Sequence, residues 1–141
     1  MGREAERKIF AKISQDPFAK SLGIELLELR PGYSKTAMTV REEMLNFHGI
    51  PHGGAIFSLA DAAFAAASNS HGRTAVALHM EISYLATVPV GTKLYAEAEE
   101  EKMGKRTALY HITVSDEDGE LIASCQGIVY RKGERSTEEA E

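Results

Sequence analysis

The chain has 141 residues, long enough for one compact domain and too short for two ordinary ones. An apolar fraction of 43%, a charged fraction of 26% and a net charge of −5 describe a folded soluble protein and argue against a nucleic-acid-binding face. No apolar run approaches the roughly 18 residues of a membrane span, and a single cysteine, Cys125, excludes an internal disulfide or a zinc ribbon, so a reducing cytoplasm is the expected compartment.

Residues 3–15 predict an amphipathic helix. Ala5, Ile9 and Ile13 recur at i+4 with Phe10 beside them, and charges fill the other face. Asp16-Pro17 punctuates that pattern. Between residues 22 and 40 two extended segments flank Pro31-Gly32, a turn dipeptide, and predict a hairpin. Residues 42–52 carry Asn46, Gly49 and Pro51 and read as an irregular loop. Residues 53–69 are nearly all small or apolar. That run is too long for an ordinary strand, and its alanines suit a helix buried on most sides.

Four strand-like segments follow, at 74–85, 93–103, 106–115 and 121–131. In the second of them Leu94, Ala96 and Ala98 alternate with Tyr95, Glu97 and Glu99, which predicts one buried and one wet face. A turn at Asp118-Gly119 joins the last two. Residues 132–141 are polar and acidic and read as a frayed tail. The expected organisation is an N-terminal helix (1–16), one domain (17–131) and a polar tail (132–141). The expected class is α+β, with an antiparallel curved sheet wrapped around one long buried central helix.

Asp61 is the only ionisable side chain between His52 and His71. It sits mid-helix among Leu59, Ala60, Ala62 and Ala63, where burying an unpaired carboxylate costs several kcal/mol. Such a group is structural, on an exposed stripe or hydrogen-bonded, or it is used. An apolar setting raises a carboxylate pKa, which suits general-base work near neutral pH. At the start of the same helix, His52-Gly53-Gly54 lacks β-carbons on its glycines, either as a simple turn or to leave backbone N–H groups open to a ligand. N–H groups at a helix start favour negative charge, including the oxyanion formed when an acyl carbonyl is attacked. Gly53 and Asp61 lie about 12 Å apart along a helix at ~1.5 Å per residue, too far to serve one carbonyl carbon within a subunit. If both act in one reaction, the site is shared across a two-fold interface between antiparallel copies of this helix.

The run from Asn46 through Gly49, His52, Gly53, Gly54 and Leu59 to Asp61 spells N-x-x-G-x-x-H-G-G-x-x-x-x-L-x-D. With it the sequence resembles the hotdog-fold thioesterase superfamily, and within it the phenylacetic-acid-degradation (PaaI-type) group. Ser83-Tyr84-Leu85 and the Gly104-Lys105-Arg106-Thr107 segment look like the same family. The resemblance covers roughly residues 16–131. It implies a hotdog fold, acyl-CoA hydrolysis, a sheet paired between subunits and a homotetramer built from two dimers.

By that resemblance Asp61, from the partner subunit, activates water or attacks the thioester directly. The Gly53 N–H polarises the carbonyl, Asn46 orients water or the acyl carbonyl, and His52 supports the oxyanion site. Gly54, Ser83 and Tyr84 fall in the substrate-binding stretches. Some relatives carry a hydroxyl on the strand after the helix, where this chain has Ala77. Lys102, Lys105 and Arg106 beside Gly104 and Thr107 describe, on residues alone, either a solvated hairpin turn or phosphate contacts. The resemblance favours contact with the nucleotide of coenzyme A, which enters as part of the substrate, so no separate cofactor is expected.

Other constellations are weaker. His48 and His52 have the spacing of a helical zinc pair, but Gly49 and Pro51 interrupt a helix, and no metal is expected. His79 and Glu81 share a strand face as half-exposed strands routinely allow, Ser58 lacks a GxSxG context, and Cys125 falls on a core-facing pattern. Phe57, Phe64 and Tyr84 are candidates to line an aromatic or medium-chain acyl pocket such as one for phenylacetyl-CoA. Two other functions share these residues: a hydroxyacyl-thioester dehydratase using His52, and a non-catalytic acyl-CoA sensor.

Overall fold

The computed structural model describes residues 2–135. In chain order the elements are α1 (Arg3–Ser14), α2 (Pro17–Ser21), β1 (Glu25–Arg30), β2 (Tyr33–Thr39), a short 3-10 turn at Glu42–Met44, α3 (Gly53–Ser68), β3 (Arg73–Tyr84), β4 (Lys93–Met103), β5 (Thr107–Ser115) and β6 (Leu121–Arg135). The strands form one six-stranded sheet in the order β1-β2-β4-β5-β6-β3. Every pair is antiparallel. Because β2 lies near one edge and β3 forms the other, the chain between them must cross the sheet. The crossing segment is α3, and the curved sheet wraps around it as the hydrophobic pattern predicts.

Small residues set the distance between helix and sheet. On the inner face of β4, Leu94, Ala96 and Ala98 are fully buried, and on α3 so are Leu59, Ala60 and Ala63. Two buried hydroxyls on β2 tie the layers together: Ser34 Oγ donates to the Ala63 carbonyl at 2.6 Å and Thr36 Oγ1 to the Leu59 carbonyl at 3.4 Å. Both are satisfied without opening the core to water. On β6, Gly127 faces Phe64, and a β-carbon there would come within 2.5 Å of the Phe64 ring. The absent side chain is what lets Phe64 reach the sheet and meet the Tyr110 ring edge-on at 5.9 Å. Phe64 is therefore a core residue, 1% exposed, and does not line a pocket as its sequence position suggested.

Three elements differ from expectation. Asp16-Pro17, punctuation in the sequence, opens the helix α2, whose five residues are too few to show a period. Asp16 caps it by accepting from the backbone N–H of Phe18 at 3.0 Å and of Ala19 at 3.4 Å, with Pro17 at the first helical position. The 3-10 turn falls inside the expected loop. Strand β6 runs on to Arg135, because Arg73 at the start of β3 pairs with it, so the expected tail begins later than residue 132. What remains of that tail falls outside the described residues. Leu121, which shares the alternation of buried Cys125, is 42% exposed at the strand's start.

One edge of the sheet is unlike the other. β3 is twelve residues long and shows Val76, Leu78 and Tyr84 at 43%, 60% and 49% exposure, followed by Leu85 at 56%. Its far side carries unpaired backbone groups, since β3 ends the strand order. Among the described residues no helix is long and apolar enough to cross a membrane.

Candidate active site

The loop before α3 is built by Asn46. Its Oδ1 accepts from the N–H groups of His48 at 2.9 Å and Ile50 at 3.3 Å, and its backbone N–H donates to the Ile50 carbonyl at 2.8 Å. Gly49 takes φ of +81°, a backbone shape that L side chains resist, and closes the loop. The side-chain oxygen is thus spent on the loop, which leaves the Asn46 Nδ2 as its group for a ligand. The loop returns through a bridge between Leu45 and Pro51, and the His52 N–H donates to the Met44 carbonyl at 2.7 Å.

His52 caps α3. Its Nδ1 accepts from the Gly54 N–H at 2.8 Å, and its carbonyl accepts from Ala55 and Ile56. That leaves the Gly53 N–H as the open donor of the first turn among the described residues. Gly54, expected to offer its N–H to substrate, is committed to the cap. A ring nitrogen that accepts cannot carry the proton, so the neutral His52 is the Nε2–H tautomer. A β-carbon at Gly53 would sit 3.1 Å from the Tyr84 ring, and one at Gly54 3.1 Å from His52 Nδ1. Tyr84 also donates its hydroxyl hydrogen to the Gly53 carbonyl at 3.0 Å. Burial, with Cys125 adding a smaller effect, pushes the Tyr84 hydroxyl up, so it remains a donor. This positioning contact was not visible from sequence, because residues 53 and 84 are brought together only by the fold.

Asp61 lies two turns along α3 and is half-buried. Its neighbours Leu59, Ala60, Ala63 and Phe64 turn into the core, while Asp61 stands on the flank of the outer face with Ser58, Ala62 and Ala65. It has no hydrogen-bond or ion-pair partner among the described residues. Burial pushes its carboxyl above the ordinary carboxylate range, and the like charge of Asp16 adds to the rise. An unpaired carboxylate with a raised pKa in an apolar setting has the character of a general base.

The basic turn between β4 and β5 is shaped by its own backbone. The Gly104 N–H donates to the Thr107 carbonyl at 2.7 Å, and Arg131 Nη1 donates to the Gly104 carbonyl at 3.1 Å. Lys102, Lys105, Arg106 and Thr107 are exposed around it. Arg131, missed in the sequence, is the buried cation that holds the turn. Ser83 is exposed beside Glu81, His111, Ser124 and Gln126 in a polar surface recess of about 330 Å³, away from Gly53. Cys125 is buried and its thiol is pushed up to about 11 by that burial, as suits a core residue. His79 and Ala77 are exposed on β3, and no set of three or more metal-binding side chains gathers among the described residues.

Within one protomer these parts do not converge. Tyr84, at the helix-start end of β3, pairs with Ala123, while Ala75 at the other end pairs with Arg131 beside the basic turn. Ala75 and Tyr84 are separated by about 30 Å at ~3.3 Å per residue. Asp61 and Gly53 are likewise apart on α3.

A profile of the thioesterase superfamily matches residues 48–123, more than half of the chain, from the Asn46 loop through α3 into β6. The chain belongs to this superfamily. The relatives of this thioesterase include the acyl-coenzyme A thioesterase PaaI of Escherichia coli, 38% identical over 140 residues that cover 99% of this chain and 100% of the relative. The structure of the E. coli PaaI protein superposes with a TM-score of 0.88 over 93% of this chain and 95% of that one, at 37% identity. A chain from Streptococcus mutans described as bound to acetyl CoA superposes at 0.76, with 26% identity, over 80% of this thioesterase and 91% of its own length. The hotdog fold and the thioester hydrolase family expected from the Asn46–Asp61 pattern are those of the molecule.

Proposed function

We propose that this chain hydrolyses acyl-CoA thioesters to a free carboxylic acid and coenzyme A, at a site made by Gly53 of one subunit and Asp61 of another. The observation that carries this reading is the open Gly53 N–H on a helix whose one carboxylate is unpaired and has a raised pKa. The Gly53 N–H donates to the thioester carbonyl and then to the oxyanion that forms there. Ionised Asp61 takes a proton from water, the oxygen bonds to the carbonyl carbon, and the carbon–sulfur bond breaks. The proton held by Asp61 goes to the departing thiolate. In the alternative route Asp61 itself attacks, and the thiolate leaves and takes a proton from water. Water then attacks the Asp61 carboxyl carbon of the mixed anhydride to release the acid. Single-turnover hydrolysis in heavy-oxygen water separates the two: attack by Asp61 leaves the first product unlabelled. Asn46 offers Nδ2 to the water or the carbonyl, and His52 holds the glycine turn.

The long exposed edge of β3 supports the shared site. A second copy pairing with it antiparallel would set the Ala75 end of one strand beside the Tyr84 end of the other. The basic turn of each subunit would then come to the helix start of its partner, across the gap of about 30 Å that separates them in one chain. There Lys102, Lys105 and Arg106 would meet the phosphates of coenzyme A. A tetramer then pairs two such dimers. The reaction needs no cofactor beyond its substrate, and one buried cysteine suits a reducing cytoplasm. A dehydratase would need the ring of His52 for proton transfer, and its Nδ1 is already committed to the cap.

The test is thiol release from a panel of acyl-CoA substrates by wild type and Asp61→Asn, with sedimentation to count subunits. Hydrolysis by wild type and its loss in Asp61→Asn are expected. Unchanged turnover by Asp61→Asn would remove Asp61 from the chemistry, and an active monomer would remove the shared site.

A further inference from the structure

Asp61, Ala65 and Asn69 follow one another at i+4, so they stack on a single stripe of α3 and its C-cap. Over the last two of them the outer face of the helix opens into a recess of about 280 Å³, roofed by Ile9 and Ile13 of α1 and bounded by Thr74 at the start of β3. Along the helix axis the recess therefore begins about 6 Å from Asp61, at Ala65, and ends about 12 Å from it, at Asn69. Ile9 is 3% exposed, so α1 is docked by its apolar face, yet Ala65 beneath it is exposed because its methyl group does not fill the space. A narrower space lined by Ile13, Asp16, Ala62 and Ala65 continues beside it. Asp16, at the α1–α2 corner, lines this space together with Ala62, the residue next to Asp61.

The polar group of Asn69 is spent in the wall. Its amide donates to the carbonyls of Ala65 at 2.9 Å and Ala75 at 3.1 Å, and its oxygen accepts from the Ala75 N–H at 2.9 Å. Lys12 and Asp16, both exposed, also line the recess, and Ile9, Ile13 and Ala65 supply its apolar part. A dry cavity of about 150 Å³ accepts a benzene ring, so this one has room for a ring or a medium chain.

We propose that the recess between α1 and α3 is the acyl subsite, and that Ile9 and Ile13 of the N-terminal helix, with Ala65, set which apolar acyl groups are hydrolysed. The proposal rests on acyl-CoA hydrolysis with Asp61 at the scissile bond, from which the acyl group runs toward Asn69. It replaces Phe64 as a pocket residue and gives α1 a part in specificity.

The experiment compares kcat/KM for acetyl-, hexanoyl- and phenylacetyl-CoA in wild type, Ala65→Leu, Ile13→Phe and Ile13→Ala. Wild type is expected to favour the two larger acyl groups. Ala65→Leu, which fills the recess from α3, and Ile13→Phe, which fills it from α1, are each expected to lower kcat/KM about tenfold or more for those groups while acetyl-CoA changes less than about threefold. Ile13→Ala is expected to move the optimum to longer chains. Calorimetric binding to Asp61→Asn carrying Ala65→Leu repeats the comparison without turnover: weaker hexanoyl-CoA with unchanged acetyl-CoA is expected. Equal losses on all three substrates, as a pantetheine channel would give, overturn the proposal. So does a wild type that prefers acetyl-CoA or filled variants that change nothing. Full turnover by Asp61→Asn alone would instead fault the catalytic assignment, while the selectivity pattern still judges the recess.

Discussion

The two faces of α3 differ more than the two ends of the molecule. On the inner face Leu59, Ala60, Ala63, Phe64, Ala66 and Ala67 are at most 1% exposed, and their sizes answer to the sheet. The outer flank carries Asp61 half-buried and unpaired, with Ala62 and Ala65 leaving open space. One face is filled to the point where a single β-carbon on Gly127 would collide with it. The other is left under-filled beside a charge. Close packing stabilises the helix on one side and leaves the carboxylate proposed for catalysis on the other, which is how a rigid element can carry a site.

The sharpest break in that contrast is Asp61→Asn. If Asp61 acts as proposed, its loss is expected to lower kcat by about a thousandfold, measured by thiol release, while the fold survives. Because burial raises the Asp61 pKa, the folded state binds more protons than the unfolded one between the ordinary carboxylate range and the raised value. Stability therefore falls as pH rises through that window. Asp61→Asn removes this loss, so its melting temperature at neutral pH is expected to match or exceed that of wild type, by calorimetry.

Gly127→Ala probes the inner face. Its β-carbon pushes on the Phe64 ring, and a loss of about 1–3 kcal/mol is expected in urea unfolding. A smaller residue at position 64 should partly relieve it in a double-mutant cycle. Tyr84→Phe acts on the helix start. It removes the hydrogen bond to the Gly53 carbonyl, and is expected to lower kcat/KM a few-fold to about tenfold and stability by at most about 1 kcal/mol. The smallest effect belongs to Asp16→Asn, which can keep the α2 cap while removing the like charge. The acidic limb of the pH–rate profile, which should rise as Asp61 ionises, is expected to move to lower pH.

Much of the fold is written in periodicity. The alternation in β4 and the long apolar run of α3 depend on local spacing, and both elements lie where that spacing puts them. The short helix α2 escapes this kind of reading because five residues make little more than one turn. The candidate site is legible in a different way. Asp61 stands out because a charge in an alanine-rich helix is costly, and Gly53 because a glycine opens a helix. What spacing cannot reveal is which N–H remains free. That depends on the His52 ring accepting from Gly54 and on Tyr84 arriving from β3. Arg131 was equally hidden, since a cation near a strand's end is unremarkable until the chain folds its guanidinium under the Gly104 turn.

The sequence by itself determined that one long helix would be buried in a curved antiparallel sheet, because residue size and period encode burial directly. It also singled out a carboxylate and a glycine that cannot meet within one chain, because the rise of a helix is constant. Only the tertiary structure decided what surrounds them: the committed cap of His52, the exposed edge of β3, and the recess that α1 leaves over Ala65. Those features arise between residues far apart in the chain, and contact geometry across such separations is set by packing, not by local pattern.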